Sequence, residues 1–268
     1  MTMSALFESL VINSMSLMPV DEEESPLLVN ERETLSQAEA SEEPKFKLQL
    51  NDKEVIMDEL EDLLAYPRIR TIRDLQLNDN EFGNAGVALI ANAESLSRLV
   101  TLSLGSNKLT DQAVCHLAGS TTLKGLRNLY LQRNAIGPEG MKALVESDTL
   151  QNLEILYLKG NPLGPEGVRI LSGAVHWKQL RELYLQNTRM GPDGLRSLCE
   201  SEILLNVTTL SLAGNRLDDK AADILANCKA AGRMITLDLY GNTLSEAAQS
   251  KIKNSPHLKS LKALQVDW

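Results

Sequence analysis

Tyr130, Tyr157 and Tyr184 recur at intervals of 27 residues, inside the segments NLYLQRN, ILYLKGN and ELYLQNT. A phenol offers a flat apolar face and a single hydroxyl, so a file of such rings suits contact with another surface better than bond-making. Asn128, Arg133, Lys159, Glu182 and Gln186 are the expected neighbours, and they bring both signs of charge. Tyr240 stands two residues past Asp238, the position equivalent to Tyr184, and is placed on the same surface. Aromatic rings flanked by Arg and Lys on a rigid wall have the composition of a protein-binding hot spot. The candidate binding residues are therefore Tyr130, Tyr157, Tyr184, Tyr240, Arg133, Lys159, Glu182 and Gln186.

Covalent chemistry finds less support. Cys115 and His116 are adjacent, but consecutive residues of a helix do not face each other, so they make a poor nucleophile–base pair. His116, His176 and His257 fall at unrelated phases of the period and suggest no common site. The chain carries no GxSxG, GxxxxGK[ST] or HExxH, no GxGxxG after a strand, and no paired-cysteine metal spacing. The expectation is a non-enzyme with no cofactor and no metal. Three cysteines without a CxxC pair read as reduced thiols of an intracellular protein. The NVT at Asn206–Thr208 matches a glycosylation sequon by chance, since it leads into a strand.

Charge is distributed unevenly. Of the 36 acidic and 27 basic side chains, residues 1–43 hold ten acidic and only Arg32 as a base, which leaves 26 of each for the remainder. A neutral body argues against nucleic acid as the partner, because phosphate binding needs a clustered basic surface. No apolar run reaches the ~18 residues of a membrane span. Residues 1–44 are rich in Ser and Glu and are expected to be a disordered tail, in which Ala5–Met18 could form a short helix on meeting a partner. The leader has no Lys or Arg and so lacks the charged start of a secretory signal. A cytoplasmic location is expected, with secretion through an unconventional leader as the alternative.

The elements that must position the tyrosines are repeats. Asn80, Asn107, Asn134, Asn161, Asn215 and Asn242 keep one phase of 27 residues, with Thr188 at the place where Asn is missing. Leucines stand five and three residues before each, as at Leu129 and Leu131. This alternation marks a short strand with one buried face. A polar turn and a helical pattern follow, with Pro138 suited to a first helical position and Glu139 to the first turn. Ile90, Leu117, Leu144, Leu171, Leu198, Leu225 and Ile252 form a buried helical column. Gly86, Ala113, Gly140, Gly167, Gly194, Ala221 and Ala248 form one that is always small. Trp177 aligns with Leu123, Leu150 and Leu204 and is expected in the core.

This pattern resembles the leucine-rich repeat family, in its ribonuclease-inhibitor-like subclass, over about residues 46–268. The resemblance implies an α/β solenoid curved like a horseshoe, with parallel strands inside and helices outside. It also implies that the repeated Asn hydrogen-bonds backbone in the turn, so Thr188 should weaken its rung without changing the fold. The expected organisation is a tail over 1–44 and a repeat domain over 45–268. Within the latter, 45–70 is the N-terminal cap, seven repeats run to about 258, and 259–268 is a half-repeat ending in Trp268. Members of this subclass usually bind proteins, so the resemblance implies a non-catalytic binding module; a monomer is expected, and the sequence does not give the oligomeric state. Two alternatives remain: a secreted effector that binds in the same way inside another cell, and a GTPase regulator similar to the Ran GTPase-activating protein. The latter family typically has longer, uneven repeats with its acidic segment after them, whereas here the repeats are uniform and the acidic segment comes first.

Overall fold

In a computed structural model, residues 3–18 and 45–266 are described. Two leucines per unit, alternating with polar residues, fold each repeat into a strand of three to five residues. These are β3 Ile72–Gln76, β4 Thr101–Ser103, β5 Asn128–Tyr130, β6 Ile155–Tyr157, β7 Glu182–Tyr184, β8 Thr209–Ser211 and β9 Thr236–Asp238. With β1 Met15–Leu17 and β2 Phe46–Gln49 before them and β10 Ala263–Gln265 after, the described residues form one sheet in chain order. From β2 onward every pair is parallel, and Leu75, Leu102, Leu129, Leu156, Leu183, Leu210 and Leu237 pair in register. Their side chains, and those of Leu77 to Leu239 in the second column, are buried to 1% exposure or less.

Each strand is followed by a turn and a helix, as in Pro138–Val145, where Pro138 opens the helix. Parallel strands stack at about 4.8 Å while helices are about 10 Å across, so strands line the concave side and helices the convex one. The small column is what lets neighbouring helices approach. A Cβ at Gly194 would lie 3.4 Å from the Pro165 Cα of the previous unit, and one at Gly140 would lie 3.3 Å from the Asp111 Cα of its own preceding unit. Trp177 is in the core, and its indole N–H donates to the Leu150 carbonyl at 2.8 Å.

The asparagine ladder ties the turns together. Asn134 donates to the carbonyls of Leu104 and Leu131, at 3.0 Å each, and its Oδ1 accepts from the amides of Asn107 and Leu109 in the preceding unit, also at 3.0 Å. Thr188 donates to the Leu185 carbonyl at 2.9 Å and lies 3.1 Å from Asn215 Oδ1 of the following unit, but its short side chain does not reach back to the preceding one. The amides of Asn161 and Leu163, which an asparagine at 188 would receive, instead donate within their own turn, to the carbonyls of Leu158 and Asn161. The rung is rearranged locally and the fold continues through it.

The N-terminal segment departs from the sequence expectation. Ala5–Asn13 is a helix capped by Ser4, whose Oγ accepts from the Phe7 amide at 3.2 Å, and it buries Phe7 and Val11 against the repeat core. β1 then pairs antiparallel with β2, with Met15 opposite Leu48 and Leu17 opposite Phe46. The physical reason is an i, i+4 apolar pair, which composition averaged over 1–44 conceals. The cap of the repeat domain therefore includes residues before 45. The expectations for 19–44 and for Trp268 lie outside the described residues.

Candidate protein-binding face

Because Leu129, Leu156 and Leu183 point into the core, the residues on either side of each point into the concavity. The inner wall thus has three columns. The first contains Asp74, Thr101, Asn128, Ile155, Glu182, Thr209 and Thr236. The second contains Gln76, Ser103, Tyr130, Tyr157, Tyr184, Ser211 and Asp238, paired rung to rung in the sheet. The third lies just beyond the strands and contains Asn78, Gly105, Gln132, Lys159, Gln186, Ala213 and Tyr240.

Tyr130, Tyr157 and Tyr184 meet as the period requires. The rings of Tyr157 and Tyr184 are stacked, with centroids 4.5 Å apart and planes 25° from parallel. Those of Tyr130 and Tyr157 are 5.9 Å apart and tilted by 31°. All three rings are half-buried, while Ser103 and Ser211 at the two ends of the stack are buried. The Tyr184 hydroxyl donates to Glu182 Oε2 at 2.7 Å, which fixes the last ring in place. Burial, followed by that hydrogen bond and the charge of Glu182, pushes the Tyr184 phenol well above its ordinary range. Burial also raises Tyr130, with the negative charges of Glu182 and Asp74 adding to it.

Polar groups frame the rings. On the N-terminal side the carboxamides form a chain. Gln49 and Asn51 each donate to Gln76 Oε1 at 3.2 Å, Asn78 donates to Asn51 Oδ1 at 2.9 Å, and Gln132 donates to Asn78 Oδ1 at 3.3 Å. Gln132 reaches Asn78 by crossing two rungs over Gly105, where any Cβ would overlap it. On the C-terminal side Ser211 donates to Asp238 Oδ2 at 2.5 Å. Near the N-terminal edge Lys47 pairs with Asp74 at 3.4 Å, and burial nevertheless raises the Asp74 carboxyl above its ordinary value.

The other candidate residues divide. Lys159 and Glu182 flank the stack on opposite sides, both partly exposed. Gln186 lies beside Tyr184 but is only 9% exposed, and its Oε1 is sealed without a partner. Arg133 does not stand on the wall: it occupies the turn with a left-handed backbone, φ 56°, and is exposed at the rim. Alternation cannot place it, because the strand periodicity ends before it. Tyr240 is in the third column, two rungs beyond Tyr184, 64% exposed, and contacts none of the three rings. The structure thus brings Tyr130, Tyr157 and Tyr184 together with Lys159 and Glu182 beside them, and places Arg133 and Tyr240 apart from the stack. Sequence reasoning missed the carboxamide chain, for which Gly105 within an otherwise polar column was the available signal.

Among the described residues no group of three or more His, Cys, Asp or Glu is placed to hold a metal ion, and no helix is long and apolar enough to cross a membrane.

Residues 68–91, 126–145 and 149–172 match the family model described as Leucine Rich repeat. That match covers three units, and the remaining units repeat the same strand–turn–helix plan, so the architecture is a solenoid of leucine-rich units. No curated protein matches it. Solved structures with a similar fold include an internalin, InlF, from Listeria monocytogenes, at 20% identity and a TM-score of 0.44, covering 81% of this chain and 44% of that one. The Rad7 and Elc1 complex of yeast matches at 17% identity and a TM-score of 0.46, covering 76% of this chain and 57% of that one. The plant peptide hormone receptor RGFR1, solved in complex with RGF2, matches at 17% identity and 0.41, covering 74% and 32%. The chain thus spans between about a third and three-fifths of the length of these proteins.

Proposed function

We propose that this chain is a non-catalytic interaction module of the ribonuclease-inhibitor-like subclass, holding a protein partner against its concave wall. The 27-residue period with a helix in every unit supports the subclass. The binding reading is carried by the three consecutive rings, half-buried, stacked and framed by polar groups. This is the anatomy of a hot spot, an apolar centre within a polar ring that excludes water. Rings already packed on one another lose little side-chain freedom when a partner covers them, so less of the contact energy is spent on ordering.

A protein suits this wall better than nucleic acid, since the body from residue 44 onward has as many acidic as basic side chains. Hydroxyl-radical footprinting of the full chain, free and with its captured partner, tests the reading. Protection at Tyr130, Tyr157 and Tyr184 with none on the outer helices is expected; protection confined to the helices would overturn it. Action as a secreted effector would keep the same binding mode, and a reporter fused to residues 1–44 would reveal export. GTPase activation is the competing function. Accelerated GTP hydrolysis by a small GTPase on adding the chain would replace the binding-only reading.

A further inference from the structure

Glu182 stands in the first column, beside the stack. One carboxylate oxygen, Oε2, accepts the Tyr184 hydroxyl at 2.7 Å, and no cation pairs with the group among the described residues. Arg181, next in sequence, turns away and donates to the carbonyls of Lys178 and Leu180 at 3.3 and 3.4 Å. Lys159 lies in the third column, across the rings from Glu182. Some exposed carboxylates find cations, as in Glu81 with Lys108, Glu154 with Arg127 and Glu166 with Arg169, while others, such as Glu139 and Glu200, have none among the described residues. Ile155 pairs with Glu182 across the sheet, as Tyr157 pairs with Tyr184. Two adjacent rungs thus present an aliphatic side chain, two stacked rings and an unpaired negative charge.

We propose that the partner is held through a basic side chain, arginine in preference to lysine, laid on Tyr157 and Tyr184 with its charge at the Glu182 carboxylate. The faces of Tyr157 and Tyr184 are turned to each other, so the basic side chain lies along the ring edges and hydroxyls and the Glu182 carboxylate supplies the attraction. A guanidinium adds a flat surface, weaker hydration, and a fork of donors that matches a carboxylate. Its methylene stem fits over Ile155 while the charged head reaches Glu182. Burial is the main cause of the upward shifts of the Tyr130 and Tyr184 phenols, and the negative charge of Glu182 adds to both. This proposal rests on the concave-face reading and adds the chemistry of what is bound there.

The test titrates the full chain, labelled with ¹³C-tyrosine, with three acetylated and amidated tripeptides. The first is Gly-Arg-Gly, and in the others lysine or citrulline replaces the arginine. Citrulline keeps the shape of arginine without its charge. Gly-Arg-Gly is expected to shift the ring signals of Tyr157 and Tyr184 saturably, with the lysine peptide weaker and the citrulline peptide at least fivefold weaker. Glu182→Gln should reduce the arginine peptide to the level of citrulline. Equal binding of arginine and citrulline, an unchanged response in Glu182→Gln, or no ring shift with any peptide would overturn the proposal. With the captured protein partner the two readings separate. If Glu182→Gln binds normally while replacement of the three tyrosines abolishes binding, the wall stands and the arginine assignment falls.

Discussion

The side chains that matter most here are held in place by their neighbours on adjacent rungs. Tyr184 is clamped between the Tyr157 ring and the Glu182 carboxylate, and both contacts favour its neutral form. Tyr130 and Tyr184 should therefore ionise above the ordinary phenol value in a spectrophotometric titration, and Glu182→Gln should bring Tyr184 back toward it. The sign of the linkage follows. A phenol whose pKa is raised on folding contributes stability that is complete below the unfolded value, near 10. That stability is lost as pH rises through the folded value. Binding through these rings should be insensitive to pH across the neutral range, where both remain neutral. The cysteines allow a second check on burial. Cys115 is exposed and Cys228 is buried, its Sγ 3.7 Å from the Cys199 carbonyl oxygen. A thiol reagent should label Cys115 first in the native chain and reach Cys228 only on unfolding; equal rates would contradict this packing.

At the scale of the element, each strand and turn is legible in the sequence because a period of two is nested in a period of 27. A leucine displaced by one residue would face the concavity instead of the core, so the register is fixed by burial. The asparagine ladder follows from the same phase, and Thr188 marks its weakest rung. Thr188→Asn should restore an acceptor for the amides of Asn161 and Leu163 and raise stability by about 1 kcal/mol, read from urea unfolding. Asn134→Ala should cost about 3 kcal/mol, because it strands several buried backbone groups at once. Equal and small effects of the two changes would remove the ladder from the account. What stayed hidden lies where the periodicity stops. Arg133 follows the strand in a left-handed turn, a conformation that alternation does not report, and its side chain is exposed there. Tyr240 stands one column away from the three rings and two rungs beyond them, and its equivalent in the preceding unit is Ala213.

The whole molecule is a one-dimensional stack, each unit resting on its neighbours, and stability should be lost from its ends. At the N-terminal edge β1 and the helix Ala5–Asn13 close the first unit, with Phe7 buried in the core. That closure was obscured because a strongly acidic stretch shares the same 44 residues. Phe7→Ala should cost about 3 kcal/mol. In hydrogen exchange it should speed opening of β1 and β2 while leaving β6 and β7 protected; uniform acceleration would contradict the picture of near-independent units. The central claim is that phase alone gathers three rings from three repeats into one binding wall. Its most direct test compares the affinity of the captured partner for the native chain and for the triple variant Tyr130→Ala, Tyr157→Ala, Tyr184→Ala, with folding verified by circular dichroism. Affinity should fall at least ~100-fold, the loss of about two hot-spot residues allowing for non-additivity. A folded triple variant that binds as tightly as the native chain would place the partner elsewhere.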